Sequence, residues 1–174
     1  MARLPQPPAD SKGQAANSQR YYHAVKKLLD DLRQQKNRTY NASAQAYQRY
    51  AQQIDELPIL GVDPELLKWG GDVAVTLRGL AGLARATLSQ KNVAAMNYAR
   101  AVSQGSYNSS DAWGYRYTIP AGTAVDTGAV GQINNLMATA GANEVAVRNQ
   151  TWNNIDTATA QVRRKMTEKY QVEF

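Results

Sequence analysis

Apolar residues recur at helical spacing along most of this chain, and this periodicity limits the folds that the chain can adopt. Three long segments carry the pattern, over residues 20–57, 64–104 and 128–170. At about 1.5 Å of rise per residue, the first segment alone would span about 57 Å as one helix. The sequence therefore predicts a mainly α fold, an elongated bundle of three long helices.

The boundary between the first two segments is marked by strong local signals. Pro58 ends the first segment, and Asp63 is a favourable N-cap followed by Pro64 at the first helical position. Because the connector over 58–63 is short, the first two helices are predicted to form an antiparallel hairpin, with the third helix packing back on them.

Within the first segment, an eleven-residue step joins Tyr21, Leu32, Ser43 and Ile54, and three of these four positions are apolar or aromatic. Eleven residues fill three turns of an α-helix almost evenly, so this repeat predicts a nearly straight helix. The pattern is typical of coiled coils and of rod-like helical subunits.

The second segment carries small residues on neighbouring turns, at Gly79, Gly82 and Ala86. Small side chains allow another backbone to approach closely. We therefore expect this face to contact a partner.

Between the second and third segments, residues 105–121 have a different character. Trp113, Tyr115 and Tyr117 alternate with smaller or polar residues, which is the period of a β-strand. This extended aromatic segment has two interpretations. It is a β-like hairpin or loop that caps the bundle, or an edge to which another chain adds a strand.

Residues 1–19 are predicted to form an extended N-terminal arm, because Pro5, Pro7 and Pro8 oppose a helix and polar residues follow. Residues 20–174 would then form a single helical domain. The arm is a candidate for binding a neighbouring subunit.

No residue pattern indicates an enzyme. The chain has no cysteine and one histidine, His23, which disfavours thiol chemistry, catalytic triads and histidine-rich metal sites. The carboxylates lie beside lysines or at a helix start, and no phosphate-binding glycine loop is present. We expect no catalytic residue, no cofactor, no metal and no small-molecule substrate.

The net charge of +6 is concentrated towards the two ends of the chain. Such a distribution fits a second hypothesis, a protein that binds nucleic acid or an anionic membrane surface. Tyrosines lie among the basic residues and would stack on bases. The candidate anion-binding residues are Arg20, Lys26, Lys27, Arg33, Arg163, Arg164 and Lys165.

The leading hypothesis is a structural or assembly protein, which self-associates or joins a larger complex of protein subunits. A third hypothesis is a secreted helical-hairpin effector. Small secreted hairpins of this kind carry a Trp-X-Gly turn between their two helices, whereas Trp69-Gly70-Gly71 lies at a helix start. No apolar run is long enough for a transmembrane helix. The compartment stays open: a soluble protein of the cytoplasm, or of the cell envelope or exterior if a signal peptide has been removed.

Overall fold

The computed structural model describes residues 11–35, 39–103, 108–110, 116–118 and 127–174, and side chains within 13–35, 39–97 and 131–174. This part of the chain is mainly helical, which confirms the predicted class. The helices are α1 (Ser11–Gln34), α2 (Tyr40–Asp55), α3 (Pro64–Ser103) and α4 (Thr127–Tyr170). The second and third predicted helices thus have the expected bounds to within one residue. None of the described helices has a stretch both long and apolar enough to span a bilayer.

The single helix predicted over residues 20–57 is two helices in the structure. Thr39 begins α2 as its N-cap, and its Oγ1 accepts a hydrogen bond from the Ala42 backbone N–H at 3.1 Å. This bond satisfies one of the free donors at a helix start, and it stabilises a new beginning there. The eleven-residue repeat did not reveal the break, because both halves keep the same spacing.

Helix α1 also begins earlier than expected, so residues 11–19 are helical rather than part of an extended arm. Ser18 in this turn is fully buried, and its Oγ accepts a hydrogen bond from the Asp63 backbone N–H at 3.0 Å. Tertiary contacts of this kind outweigh the weak helix propensity of a Gly-, Asn- and Ser-containing stretch.

The connector between α2 and α3 turns at Gly61, whose φ of 71° lies in the left-handed region that favours glycine. Asp63 then caps α3, with its Oδ1 accepting a hydrogen bond from the Glu65 backbone N–H at 2.9 Å. The predicted N-cap is therefore confirmed.

Two short strands are described between α3 and α4. Strand β1 (Asn108–Ser110) pairs antiparallel with β2 (Arg116–Thr118), so that Ser109 lies opposite Tyr117. The predicted aromatic segment overlaps the described residues only at these two strands.

The chain divides into two compact units. Unit 1 consists of Met1–Ala84 and Arg148–Phe174, and unit 2 of Arg85–Val147. The single domain predicted over residues 20–174 stays a prediction.

Unit 1 contains the hydrophobic core, to which all four helices contribute. Tyrosine, alanine and branched aliphatic side chains dominate it. Its buried members are Tyr21, Tyr22, Val25, Leu29, Leu32, Ala44, Ala46, Tyr47, Tyr50, Ala51, Ile54, Val62, Leu66, Trp69, Val73, Ala74, Leu77, Leu80, Ala81, Ala84, Ile155, Val162, Met166, Tyr170 and Phe174.

The chain after α4 folds back onto unit 1. Gln171 adopts a left-handed φ of 53°, and its N–H donates to the Thr167 carbonyl at 2.9 Å. Phe174 thereby stacks near Tyr170 and meets the ring of Tyr22 edge-on, with both centroid separations at 6.1 Å. This turn closes one end of the unit 1 core.

Unit 2 contains the remaining parts of α3 and α4 together with both strands. Among its described side chains, three are buried: Thr87, Ala94 and Glu144.

Candidate functional site

A groove of about 520 Å³ lies between α3 and α4 in unit 1, and we call it the unit-1 groove. Its apolar floor is buried, with Val73, Ile155 and Val162 among the core residues that form it. Its lining is charged on both sides, at Glu65, Lys68, Asp72 and Lys165. Charged side chains of both signs keep such a rim hydrated, so this groove has the character of a wetted surface.

Trp69 belongs to the floor of the unit-1 groove and ties it to α1. Its ring stacks on Tyr22 at a centroid distance of 5.4 Å, and its Nε1 is buried without a hydrogen-bond partner among the described residues. The adjacent Gly70 leaves room for the Tyr21 hydroxyl, which would collide with any Cβ there. Burial raises the pKa of the Tyr21 and Tyr22 phenols above the ordinary tyrosine value. The Trp-Gly pair is therefore a packing feature of the core.

A second groove, of about 490 Å³, lies between α3 and α4 within unit 2, and we call it the unit-2 groove. Small, apolar and amide side chains line it, and none of the lining residues is charged. They are Ser89, Gln90, Val93, Ala94, Asn97, Leu136, Thr139, Ala140 and Asn143.

Unit 2 also exposes large apolar side chains. Val93 is 55% exposed and Leu136 is 64% exposed, and both line the unit-2 groove. Among the described side chains of this unit, three further large apolar residues are exposed: Met96, Val145 and Val147. An apolar, uncharged surface of this kind is typical of a site that contacts another protein.

A buried polar network joins α1, the start of α3 and the end of α4 in unit 1. Asp63 is fully buried, and its Oδ2 accepts hydrogen bonds from Lys169 Nζ at 2.7 Å and from the Tyr170 hydroxyl at 2.5 Å. Burial by itself would raise the pKa of the Asp63 carboxyl, but the bonds from Lys169, Tyr170 and the Glu65 N–H outweigh it, and the pKa is lowered. This network is saturated with internal partners, so it indicates a structural role.

The small-residue face predicted to contact a partner is exposed. Gly79, Gly82 and Ala86 all lie at the surface, and a Cβ added at either glycine would meet no atom within 4 Å. The structure therefore leaves this face open, and its contact with a partner stays a prediction.

The side chains of the other predicted partner-binding residues lie outside the described part of the chain. Pro5, Pro7 and Pro8 of the arm, and Trp113 and Tyr115 of the aromatic segment, lie outside the described residues. Tyr117 belongs to β2, of which only the backbone is described. Their predicted roles stay predictions.

Several of the predicted anion-binding residues are engaged inside the protein. Lys26 Nζ contacts Asp30 Oδ1 at 2.7 Å, as the spacing of the two residues predicted. The guanidinium of Arg33 contacts Asp156 Oδ1 at 2.6 Å. Each cation is thus partly neutralised by a carboxylate, although the two side chains are 42% and 44% exposed and keep further donors towards solvent.

Arg163 donates from Nε to the Phe174 carbonyl at 2.8 Å and lies 3.5 Å from a Glu173 carboxylate oxygen. Arg20 donates to the Asn17 side chain. The remaining members of the predicted anion-binding set are exposed: Lys27, Arg164 and Lys165. Arg20 and Arg163 are exposed as well, and anion binding by the predicted set stays a prediction.

His23 and the carboxylates are the side chains that acid–base chemistry or metal binding would use in this chain. His23 is exposed, beside the ring of Tyr22 at a centroid distance of 5.3 Å. Within the described ranges, no three His, Asp or Glu side chains converge as metal ligands would.

The chain matches no known protein family, no curated protein and no solved structure. Its function is therefore argued from its own geometry.

The sequence analysis did not identify the unit-2 groove. The available signal was a large apolar residue out of helical phase with the predicted apolar stripe of its helix: Val93 beside the stripe positions Leu88 and Ala95, and Leu136 beside Ile133 and Met137. A stripe marks the inward side of a helix, so a large apolar residue away from that stripe is a candidate for an external contact.

Proposed function

We propose that this protein is a structural or assembly protein, a subunit of a homomeric or heteromeric complex, and that unit 2 provides its docking surface for another protein. The observation that carries this proposal is the unit-2 groove, which is uncharged and lined by the exposed Val93 and Leu136. It lies in a protein in which 20% of the residues are charged.

Exposed apolar side chains can supply the free energy for such docking. Burying a valine or leucine side chain that was in contact with water contributes about 1.5–3 kcal/mol. Val93 and Leu136 are the exposed large apolar residues among the described side chains that line the groove. Their burial against a partner, on both sides of the contact, would contribute several kcal/mol towards the cost of association.

The finer architecture belongs to the same proposal. It retains the elongated bundle predicted from the sequence. In that bundle, α1 and α2 take the place of the predicted first helix beside α3 and α4. The arm, the aromatic segment and the face of Gly79, Gly82 and Ala86 are proposed as further contacts with subunits.

The proposal is tested by measuring the mass of the full chain by light scattering, at low and high salt and over a range of concentrations. An oligomer that survives high salt supports assembly through apolar contacts, since salt screens charge but not apolar burial. If the chain is a monomer throughout, proteins that co-purify with it are compared between wild type and a variant carrying Val93→Glu and Leu136→Glu.

The matched control carries Leu60→Glu and Val75→Glu, because both residues are exposed in unit 1 outside the unit-2 groove. A co-purifying protein lost only from the groove variant supports heteromeric assembly. The docking function is wrong if the chain is monomeric and no bound protein depends on the groove.

A further inference from the structure

We infer that the protein docked in the unit-2 groove is a second copy of this chain, related to the first by a two-fold axis that places groove against groove. This inference rests on the proposed docking function of unit 2 and adds the identity of the partner. Four features of the described residues favour a second copy.

The first feature is the absence of charge in the lining. A two-fold axis brings the groove of one copy against the same groove of the other, so a lining of one sign, or a charge close to the axis, would meet its like. All nine lining residues of the unit-2 groove are neutral. The surrounding unit is also nearly neutral, because residues 85–147 carry four basic and three acidic side chains. Two copies can therefore meet here without strong repulsion.

The second feature is the chemistry of the polar lining residues. Gln90, Asn97 and Asn143 are amides, and each amide carries both hydrogen-bond donors and an acceptor. An amide can thus pair with an identical amide from another copy, which neither a carboxylate nor an ammonium group can do. A strongly acidic or basic partner would instead be recognised by opposite charge, which this lining lacks.

The third feature is the mixture of sizes on one surface. Val93 and Leu136 protrude into solvent, whereas Ala94 and Ala140 in the same lining are small. A face that pairs with its own copy must present both the protruding side chains and the spaces that receive them. The unit-2 groove presents both.

The fourth feature is the way in which the same helices are covered in unit 1. There, α1 and α2 share a buried core with α3 and α4. In unit 2, no third helix accompanies α3 and α4 among the described residues. Two helices from a second copy would supply the pair that α1 and α2 supply in unit 1, and the result is a four-helix arrangement.

The first test compares masses of the full chain by light scattering at low and high salt. Wild type is expected to form a dimer at both salt concentrations. The variant carrying Val93→Glu and Leu136→Glu is expected to be a monomer, because it places four carboxylates in the shared interface. The control carrying Val75→Glu and Leu60→Glu is expected to stay dimeric. Far-ultraviolet circular dichroism checks that each variant keeps its helices.

A monomeric wild type overturns the second-copy inference but leaves docking of a different protein open, so the two proposals fail separately. A groove variant that still forms dimers, or a control variant that dissociates as readily as the groove variant, also overturns the inference, because the contact then lies elsewhere.

The second test asks whether groove faces groove. One protein carries Val93→Glu with Leu136→Glu and another carries Val93→Lys with Leu136→Lys; each is expected to be monomeric because its two facing grooves have the same sign. Mixing the two proteins is expected to restore the dimer mass at low salt, with partial loss at high salt, since grooves of opposite sign now meet whichever residues face each other. A mixture that stays monomeric while each protein is fully helical overturns the groove-to-groove arrangement.

Discussion

Helices α3 and α4 pass through both units, and their surroundings differ sharply between the two. In unit 1, the side chains of α3 such as Leu66 and Leu77 are fully buried, in a core that α1 and α2 complete. In unit 2, the described part of the same helix buries Ala94 and Thr87 and exposes Val93. The difference teaches that a long helix buries its large apolar residues where other elements cover it.

The grooves of the two units also differ, in the charge of their linings. Both are formed by α3 and α4 and have similar volumes, but charged residues such as Lys68 and Asp72 line the one in unit 1. The lining of the other is neutral. The two grooves therefore differ in the charge of their linings rather than in size, and the proposed docking function of unit 2 depends on that difference.

The sharpest way to break this comparison is to shorten one leucine in each unit. Leu77 is fully buried, whereas Leu136 is 64% exposed. We expect Leu77→Ala to lower the free energy of unfolding by about 3–5 kcal/mol, because it leaves a cavity. Leu136→Ala should change it by less than about 0.5 kcal/mol in dilute protein, measured by urea denaturation. Equal losses would mean that unit 2 has a packed core of its own.

The next effect concerns the buried carboxylate that joins three helices of unit 1. Asp63→Asn keeps a capping side chain but removes the charge that Lys169 and Tyr170 contact. We expect a loss of about 2–3 kcal/mol, the range for hydrogen bonds to a charged group. Thermal unfolding followed by circular dichroism measures it. Asp72→Asn is the matched control, since Asp72 is exposed on the same helix and should have little effect.

A smaller effect separates two adjacent glycines of α3. Gly70→Ala would place a Cβ against the Tyr21 hydroxyl, so we expect a loss of about 1–3 kcal/mol from overpacking. Gly71→Ala meets no atom within 4 Å and should stabilise the helix by about 0.5–1 kcal/mol. Melting temperatures of the two variants should therefore move in opposite directions. A stabilised Gly70→Ala protein would show that Tyr21 does not pack against that glycine.

The smallest effect is a pH dependence. Because the pKa of Asp63 is lowered in the folded protein, its carboxyl binds a proton less readily there than in the unfolded chain. Its contribution is therefore complete above the unfolded value of about 3.9 and is lost as the pH falls further. The difference in unfolding free energy between wild type and Asp63→Asn should be constant between pH 7 and pH 5 and shrink towards pH 3. A difference that grows on acidification would show that the pKa is raised instead.

Much of the fold could be predicted from the sequence, because local signals dominate it. The N-cap at Asp63, the proline after it and the spacing of Leu66, Val73 and Leu77 locate α3 without any knowledge of its neighbours. The break before α2 was missed. Threonine favours N-caps, but the helical spacing of apolar residues continues past Thr39, and the hydrogen bond that its Oγ1 accepts from the Ala42 N–H is what identifies it as a cap.

The candidate site was less accessible to sequence reasoning. Val93 and Leu136 lie far apart in the chain, and helical spacing alone does not show that they line the same groove. The pairing of Arg33 with Asp156 was hidden for the same reason, and it changes how the predicted anion-binding residues are interpreted.

The sequence by itself determined the helical class, the extents of α3 and α4 and the cap at Asp63, because these depend on interactions within a few residues of chain. The tertiary structure decided which apolar residues are covered. Leu77 is fully buried in a core to which all four helices contribute, whereas Leu136 is 64% exposed in unit 2. Whether an apolar side chain is buried or exposed depends on contacts between distant segments, and those exist only once the chain has folded.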